Sequence, residues 1–150
     1  MAYEGGGLRQ IWQPDLTTRA GAQSAMDSAK LCFLIVAGLR TLLYGFFALT
    51  SGLSFRGLGG GRVAASLLAV AVLTDIILPL VAAWRLHIYK GAFVVPLATA
   101  LYVLGIVLAP SIGGVIIGAI FIGAFVGGVR GAWALRRGTG FAEDHYATFG

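Results

Sequence analysis

The chain has 150 residues, 58% of them hydrophobic and only 11% charged, with a formal net charge of +5. Soluble domains carry about 25% charged residues, so this composition argues against a water-solvated globule and for side chains that face lipid. The positive balance does not point to nucleic acid, because the Lys and Arg residues are scattered, mostly at the ends of apolar segments, and are not gathered into a patch.

Residues 1–27 are polar and glycine-rich, with a triplet at Gly5–Gly7 and no short apolar core of the kind a cleavable signal needs. Asp15 is placed to cap a short helix running through Thr17, Arg19 and Ala22. Trp12, beside Ile11, suits the headgroup layer, so this stretch reads as an interfacial segment; a loose tail is the plainer alternative.

The first span covers residues 31–50 (LCFLIVAGLRTLLYGFFALT), with Lys30 at its entrance, Arg40 near its centre and Tyr44 one turn further on the same face. The connection 51–62 (SGLSFRGLGGGR) is rich in glycine but lacks the Gly-Lys-Ser/Thr of a phosphate loop. The second span, residues 63–84 (VAASLLAVAVLTDIILPLVAAW), carries Asp75 near its middle and Pro79 four residues later. A basic connection at 85–90 holds His87 and Tyr89. The third span, 91–109, has Pro96 in its first turns and Thr99 beyond, and Pro110 ends it. The link to the fourth span, 112–135, is so short that the two form an antiparallel hairpin. Arg136 and Arg137 follow, then a tail with Phe141, Tyr146 and Phe149.

The expected fold class is therefore an all-α membrane protein, one domain over 1–150, built as a bundle of four transmembrane helices with an interfacial N-terminal segment. Tails 1–30 and 136–150 fall on one side. That side holds Arg9, Arg19, Lys30, Arg85, Lys90, Arg130, Arg136 and Arg137, against Arg56 and Arg62 on the other. Lys and Arg concentrate on the cytoplasmic side, so both ends are expected there, in a bacterial inner membrane or an organellar one.

Arg40 and Asp75 each lie nine residues from the cytoplasmic end of their expected spans. At a rise of about 1.5 Å per residue that places both about 13–14 Å deep on antiparallel neighbours. A lone ionised group at that depth costs roughly 2.5–3.5 kcal/mol, so the two are expected to pair. Pro79 has no N–H, which leaves the Asp75 carbonyl without its helical bond and makes a polar node of Arg40, Asp75 and Pro79. Thr74 and Tyr44 could contribute to it. Two readings fit: a fixed ion pair that sets which helix faces which, or a proton or ion relay. Against the relay, Arg does not release its proton.

In the fourth span Gly114 and Gly118 are four apart, and Gly123, Gly127 and Gly131 repeat that spacing with Gly128 alongside. Small residues at this interval let helices approach closely. The partner is either another span of this chain or a separate subunit; the face runs almost the full span, more than one internal neighbour needs, which tilts the reading toward a separate subunit. Trp12, Trp84 and Trp133 suit the membrane interfaces.

No constellation supports catalysis or a cofactor. His87 and His145 lie on separate segments, far from metal-ligand spacing with the single Cys32. Nor do they face each other inside a bundle as axial haem ligands would. Cys32 reads as a small apolar filler, S-acylation being the alternative. One cysteine makes no internal disulfide, and the absence of Asn removes N-glycosylation. The chain has no Gly-x-Ser-x-Gly elbow and no His-Glu-x-x-His helix.

The end of the fourth span reads Gly128-Val129-Arg130-Gly131-Ala132-Trp133-Ala134. This resembles the final helix of assorted small four-span bacterial inner-membrane proteins of uncharacterised function, although Leu135-Arg136-Arg137 stands where Tyr-His often follows. The resemblance implies a bacterial inner-membrane setting and no activity. The expected function is a non-catalytic accessory subunit of a larger membrane complex, respiratory or photosynthetic, touching lipid and other subunits through span four and the termini. The alternative is a small ion or solute transporter working at the Arg40–Asp75 pair and the Pro79 kink.

Overall fold

A computed structural model describes residues 14–50, 66, 69–108 and 112–138, and among them every regular element is helical. Four helices follow in chain order. They are α1 (Arg19–Thr50), α2 (Ala69–His87), α3 (Val94–Leu108) and α4 (Ile112–Arg137). α1, α2 and α4 are long and apolar enough to cross a membrane, while α3 is a shorter apolar helix. Trp12, the glycine-rich connection with Arg56 and Arg62, Pro110 and the tail aromatics lie outside the described residues.

The start of α1 differs from the expectation. Asp15 does not cap it. Its Oδ1 accepts from the Thr17 hydroxyl (2.6 Å) and the Thr17 N–H (2.9 Å), closing a turn before the helix. Those two donors hold the Asp15 carboxyl below its ordinary range, the hydroxyl contributing most. Thr18 is the cap: its Oγ1 accepts from the Gly21 N–H at 3.0 Å. From there one helix of 32 residues runs without a break, so residues 19–30 continue the first span and are no separate interfacial piece. The reason is a buried stripe. Ala22, Ala25, Met26, Ala29, Phe33, Val36 and Ala37 recur at intervals of three and four and all are buried. Polar residues between them occupy the outer face, with Lys30 bound to Asp27 at 2.7 Å.

α2 contains a π turn over Leu73–Ile77, in which the Leu78 N–H reaches back five residues to the Leu73 carbonyl. Pro79 follows directly, and a proline cannot donate into the preceding turn. The wider turn is one way a helix accommodates that missing donor. The helix then runs to His87, three residues past the expected end. It closes with the Tyr89 N–H on the Leu86 carbonyl (3.0 Å) and the Lys90 N–H on the Arg85 carbonyl (2.8 Å). Tyr89 itself is left-handed (φ 52°), so the two bonds form the Schellman ending that usually uses glycine. Residues 91–93 are not helical, 92 and 93 forming a turn, and α3 starts at Val94.

The core lies toward one end of the bundle, the end that carries Arg85, Lys90 and Arg136. Phe33 stacks on Phe125 with centroids 3.9 Å apart, and Tyr102 meets Phe125 edge-on at 5.2 Å. Met26, Leu86 and Val95 complete the largest buried side chains. Beyond Ala37 in α1, before Pro79 in α2 and after Thr99 in α3, no described side chain is buried. At the far end Leu42, Phe46, Leu49, Val107 and Leu108 are exposed. Soluble monomers rarely show so continuous an apolar exterior.

The glycines of α4 serve that core. Gly118, Gly123, Gly127, Gly128 and Gly131 are buried, and Gly114 is exposed. A Cβ on Gly128 would collide with the Cβ of Ala29, and one on Gly131 would lie 2.7 Å from the Ala22 carbonyl oxygen. A Cβ on Gly118 would meet Ile106 of α3. At Gly118, Gly128 and Gly131 the close neighbour is therefore α3 or α1 of the same chain. Extending α1 back to Arg19 supplies the extra surface that the long glycine face needs.

Candidate functional site

The polar node lies where the packed half of the bundle gives way to the open half. Arg40 and Tyr44 are one turn apart on α1, and Asp75 sits in the π turn of α2. Arg40 Nη1 donates to Asp75 Oδ2 at 3.3 Å, and the Tyr44 hydroxyl donates to the same oxygen at 2.7 Å. The expected pair thus forms, across 35 residues of sequence. Tyr44 makes the shorter contact of the two.

Thr74 lines a cavity beside the pair but does not bond to Asp75. Its hydroxyl donates to the carbonyl of Val70 at 2.9 Å, within its own helix. Pro79 lines the same cavity with Arg40 and Asp75; it measures ≈20 Å³ and is bordered on the α3 side by Ala98, Tyr102 and Gly105. That volume holds about one water molecule. Tyr102 and Gly105 carried no signal along the chain, because only the packing of α3 across α2 brings them to the node.

Chemically, the arrangement sets one permanent cation against a carboxylate that also accepts a hydrogen bond from a neutral hydroxyl. The guanidinium does not release its proton. The pair is not sealed: the Arg40 side chain is 39% exposed and that of Asp75 31%. Among the described residues no group of three or more His, Cys, Asp or Glu could hold a metal ion. His87 is exposed in the last turn of α2, and Cys32 is half-buried against the core. Trp84 and Trp133 are exposed at the basic end.

The fold and the node define an all-helical chain with three helices long enough to cross a membrane and an ion pair between two of them. No protein-family model matches the chain, and comparison with curated proteins and with solved structures finds no match.

Proposed function

We propose that the protein is a non-catalytic subunit of a larger membrane complex, with all four helices crossing the bilayer and the basic end in the cytoplasm of a bacterial cell. The observation that carries this reading is the partial exposure of Arg40 and Asp75. Charged groups placed against lipid tails cost roughly 2.5–3.5 kcal/mol apiece. Their own chain covers only part of them, so a neighbouring protein helix completes the shielding. The partner seats on the open half, where Phe46 and Leu49 of α1 and Leu108 of α3 are exposed. The glycine face of α4 is a poorer seat, because α3 and α1 already meet it at Gly118, Gly128 and Gly131.

A photo-crosslinking residue at Phe47, exposed on α1, tests the proposal in native membranes. A discrete adduct to another membrane protein is expected, together with co-migration in native gels. Migration only as a lone small species, with adducts only to lipid, overturns it.

A second reading has one observation of its own. A water-sized cavity touching Asp75 beside a π turn is the kind of irregular backbone that membrane proteins place along an ion path. Under that reading the chain is a small transporter. Liposome flux abolished by Asp75→Asn supports it, and unchanged or absent flux removes it. The double change Arg40→Leu with Asp75→Leu separates the two: a subunit tolerates it, a transporter does not.

A further inference from the structure

We propose that the basic end of the bundle carries a site for the phosphate headgroup of an anionic membrane lipid. The site is a pocket of ≈520 Å³ between the α2–α3 turn and the end of α4. Three cations line it, Arg85, Lys90 and Arg136. Arg85 and Lys90 flank the basic connection after α2, and the fold brings Arg136, from the end of α4, to the same pocket.

None of the three has a carboxylate partner among the described residues. Asp27 is bound to Lys30, Asp75 to Arg40, and Asp15 to Thr17. Nε of Arg85 is buried and has no hydrogen-bond partner. The Arg85 guanidinium carbon lies 5.4 Å from the Trp84 ring centroid, so its charge is held at the pocket wall by an aromatic face and not by a carboxylate. Arg136 is held in place by aromatic rings: its guanidinium carbon lies 4.6 Å from the Phe93 centroid and 5.9 Å from that of Trp133. Phe93 and Trp133 meet edge to face at 6.2 Å. The guanidinium is thus positioned before any ligand arrives.

The backbone adds to the same field. Ala92, Phe93 and Val94 at the N-terminus of α3 line the pocket, and a helix N-terminus favours an anion. Tyr89, also on the wall, is held in the left-handed conformation at a non-glycine position. Such strain concentrates at binding sites.

The ligand is a lipid headgroup and not free phosphate because of the rest of the wall. Val94, Ala132 and Leu135 line it with apolar atoms. Phe93, also on the wall, is 68% exposed. A phosphodiester would meet the cations while its glycerol and acyl chains run along this apolar margin. Basic pockets between helices at the membrane surface have this chemistry. The inference does not depend on what covers the Arg40–Asp75 face.

Native mass spectrometry of the full chain in an uncharged detergent tests it, with phosphatidylglycerol, phosphatidylcholine and inorganic phosphate as probes. One phosphatidylglycerol per chain should bind at least tenfold more tightly than phosphatidylcholine. Lys90→Ala and Arg136→Ala, both at exposed positions, should each weaken it about fivefold, the usual loss for one cation at an anionic surface. Lys30→Ala, whose partner is Asp27, should leave it unchanged. Equal binding of the two lipids overturns the proposal, as does insensitivity to both pocket substitutions. An equal effect of Lys30→Ala would mean diffuse attraction only. Inorganic phosphate binding as tightly as phosphatidylglycerol would show a free-anion site and refute the lipid assignment.

Discussion

The Tyr44 hydroxyl donates to the Asp75 carboxylate at 2.7 Å, across two helices and on the oxygen that Arg40 also faces at 3.3 Å. Asp75 therefore has two donors, and removing either leaves the other. Arg40→Leu should destabilise the bundle by about 2 kcal/mol, below the ~3–5 kcal/mol of a fully buried pair because both side chains remain partly exposed. Tyr44→Phe should cost about 1 kcal/mol. Adding Asp75→Leu to Arg40→Leu should recover most of the loss. Unfolding of the purified protein in detergent, read by circular dichroism, checks all three, and additive losses in the double variant would deny the coupling.

The contact of Gly128 with Ala29 predicts a reciprocal exchange. Gly128→Ala alone drives two methyl groups together and should cost about 1–3 kcal/mol. Ala29→Gly added to it reopens the space and should restore all but the ~1 kcal/mol that glycine costs inside a helix. Gly38→Ala and Gly105→Ala, where nothing lies within 4 Å, should be neutral or stabilising by up to ~1 kcal/mol. A loss at Gly38 or Gly105 equal to that at Gly128 would mean these faces are covered by something else.

Pro79 connects the π turn to the ion pair. Pro79→Ala returns an N–H to the helix and allows Leu73–Ile77 to tighten to α geometry, which turns Asp75 by roughly 100°. The coupling between Tyr44 and Asp75, measured by a double-mutant cycle, should then fall by at least half. An unchanged coupling would show that the π turn is held by the packing of α1 and α3 and not by the proline.

Tyr89 occupies a conformation that costs most L residues about 1–2 kcal/mol. Tyr89→Gly should keep or raise stability, and Tyr89→Val, stiffer at Cβ, should lower it by about 1–2 kcal/mol. Thermal midpoints in detergent distinguish them. The opposite order would place the origin of the turn elsewhere than in its Schellman bonds.

Asp15 gives a pH dependence whose sign is set by its donors. The Thr17 hydroxyl and N–H favour the charged form, so the folded value lies below the unfolded one. The turn's contribution is complete above the ordinary carboxylate range and is lost as pH falls through the lowered value. Thr17→Val should move the titration of Asp15 upward toward that ordinary range. Carbon-detected NMR of the Asp15 carboxyl follows it directly, and no upward movement would refute the role of the hydroxyl.

Much of this molecule was legible along the chain. The apolar runs defined the helices, because a segment without charges cannot be solvated and must face lipid or other helices. Arg40 and Asp75 could be matched by depth alone, since a fixed rise per residue converts position into height. The start of α1 is less plain along the chain, although its signal is present. Ala22, Ala25, Met26 and Ala29 keep helical spacing, but four small or flexible residues among Gln, Ser and Asp look polar when only hydropathy is weighed.

What the tertiary structure alone decided is which surface meets which. Glycine spacing advertises a close approach without naming the partner, and only the fold put Ala29 over Gly128 and Ile106 over Gly118. The Tyr44 hydrogen bond and the joining of Arg85, Lys90 and Arg136 around one pocket have the same origin. Periodicity records the face a residue occupies on its own helix. The rotation and tilt of one helix against another arise from summed contacts among residues far apart in sequence, and no local pattern encodes them.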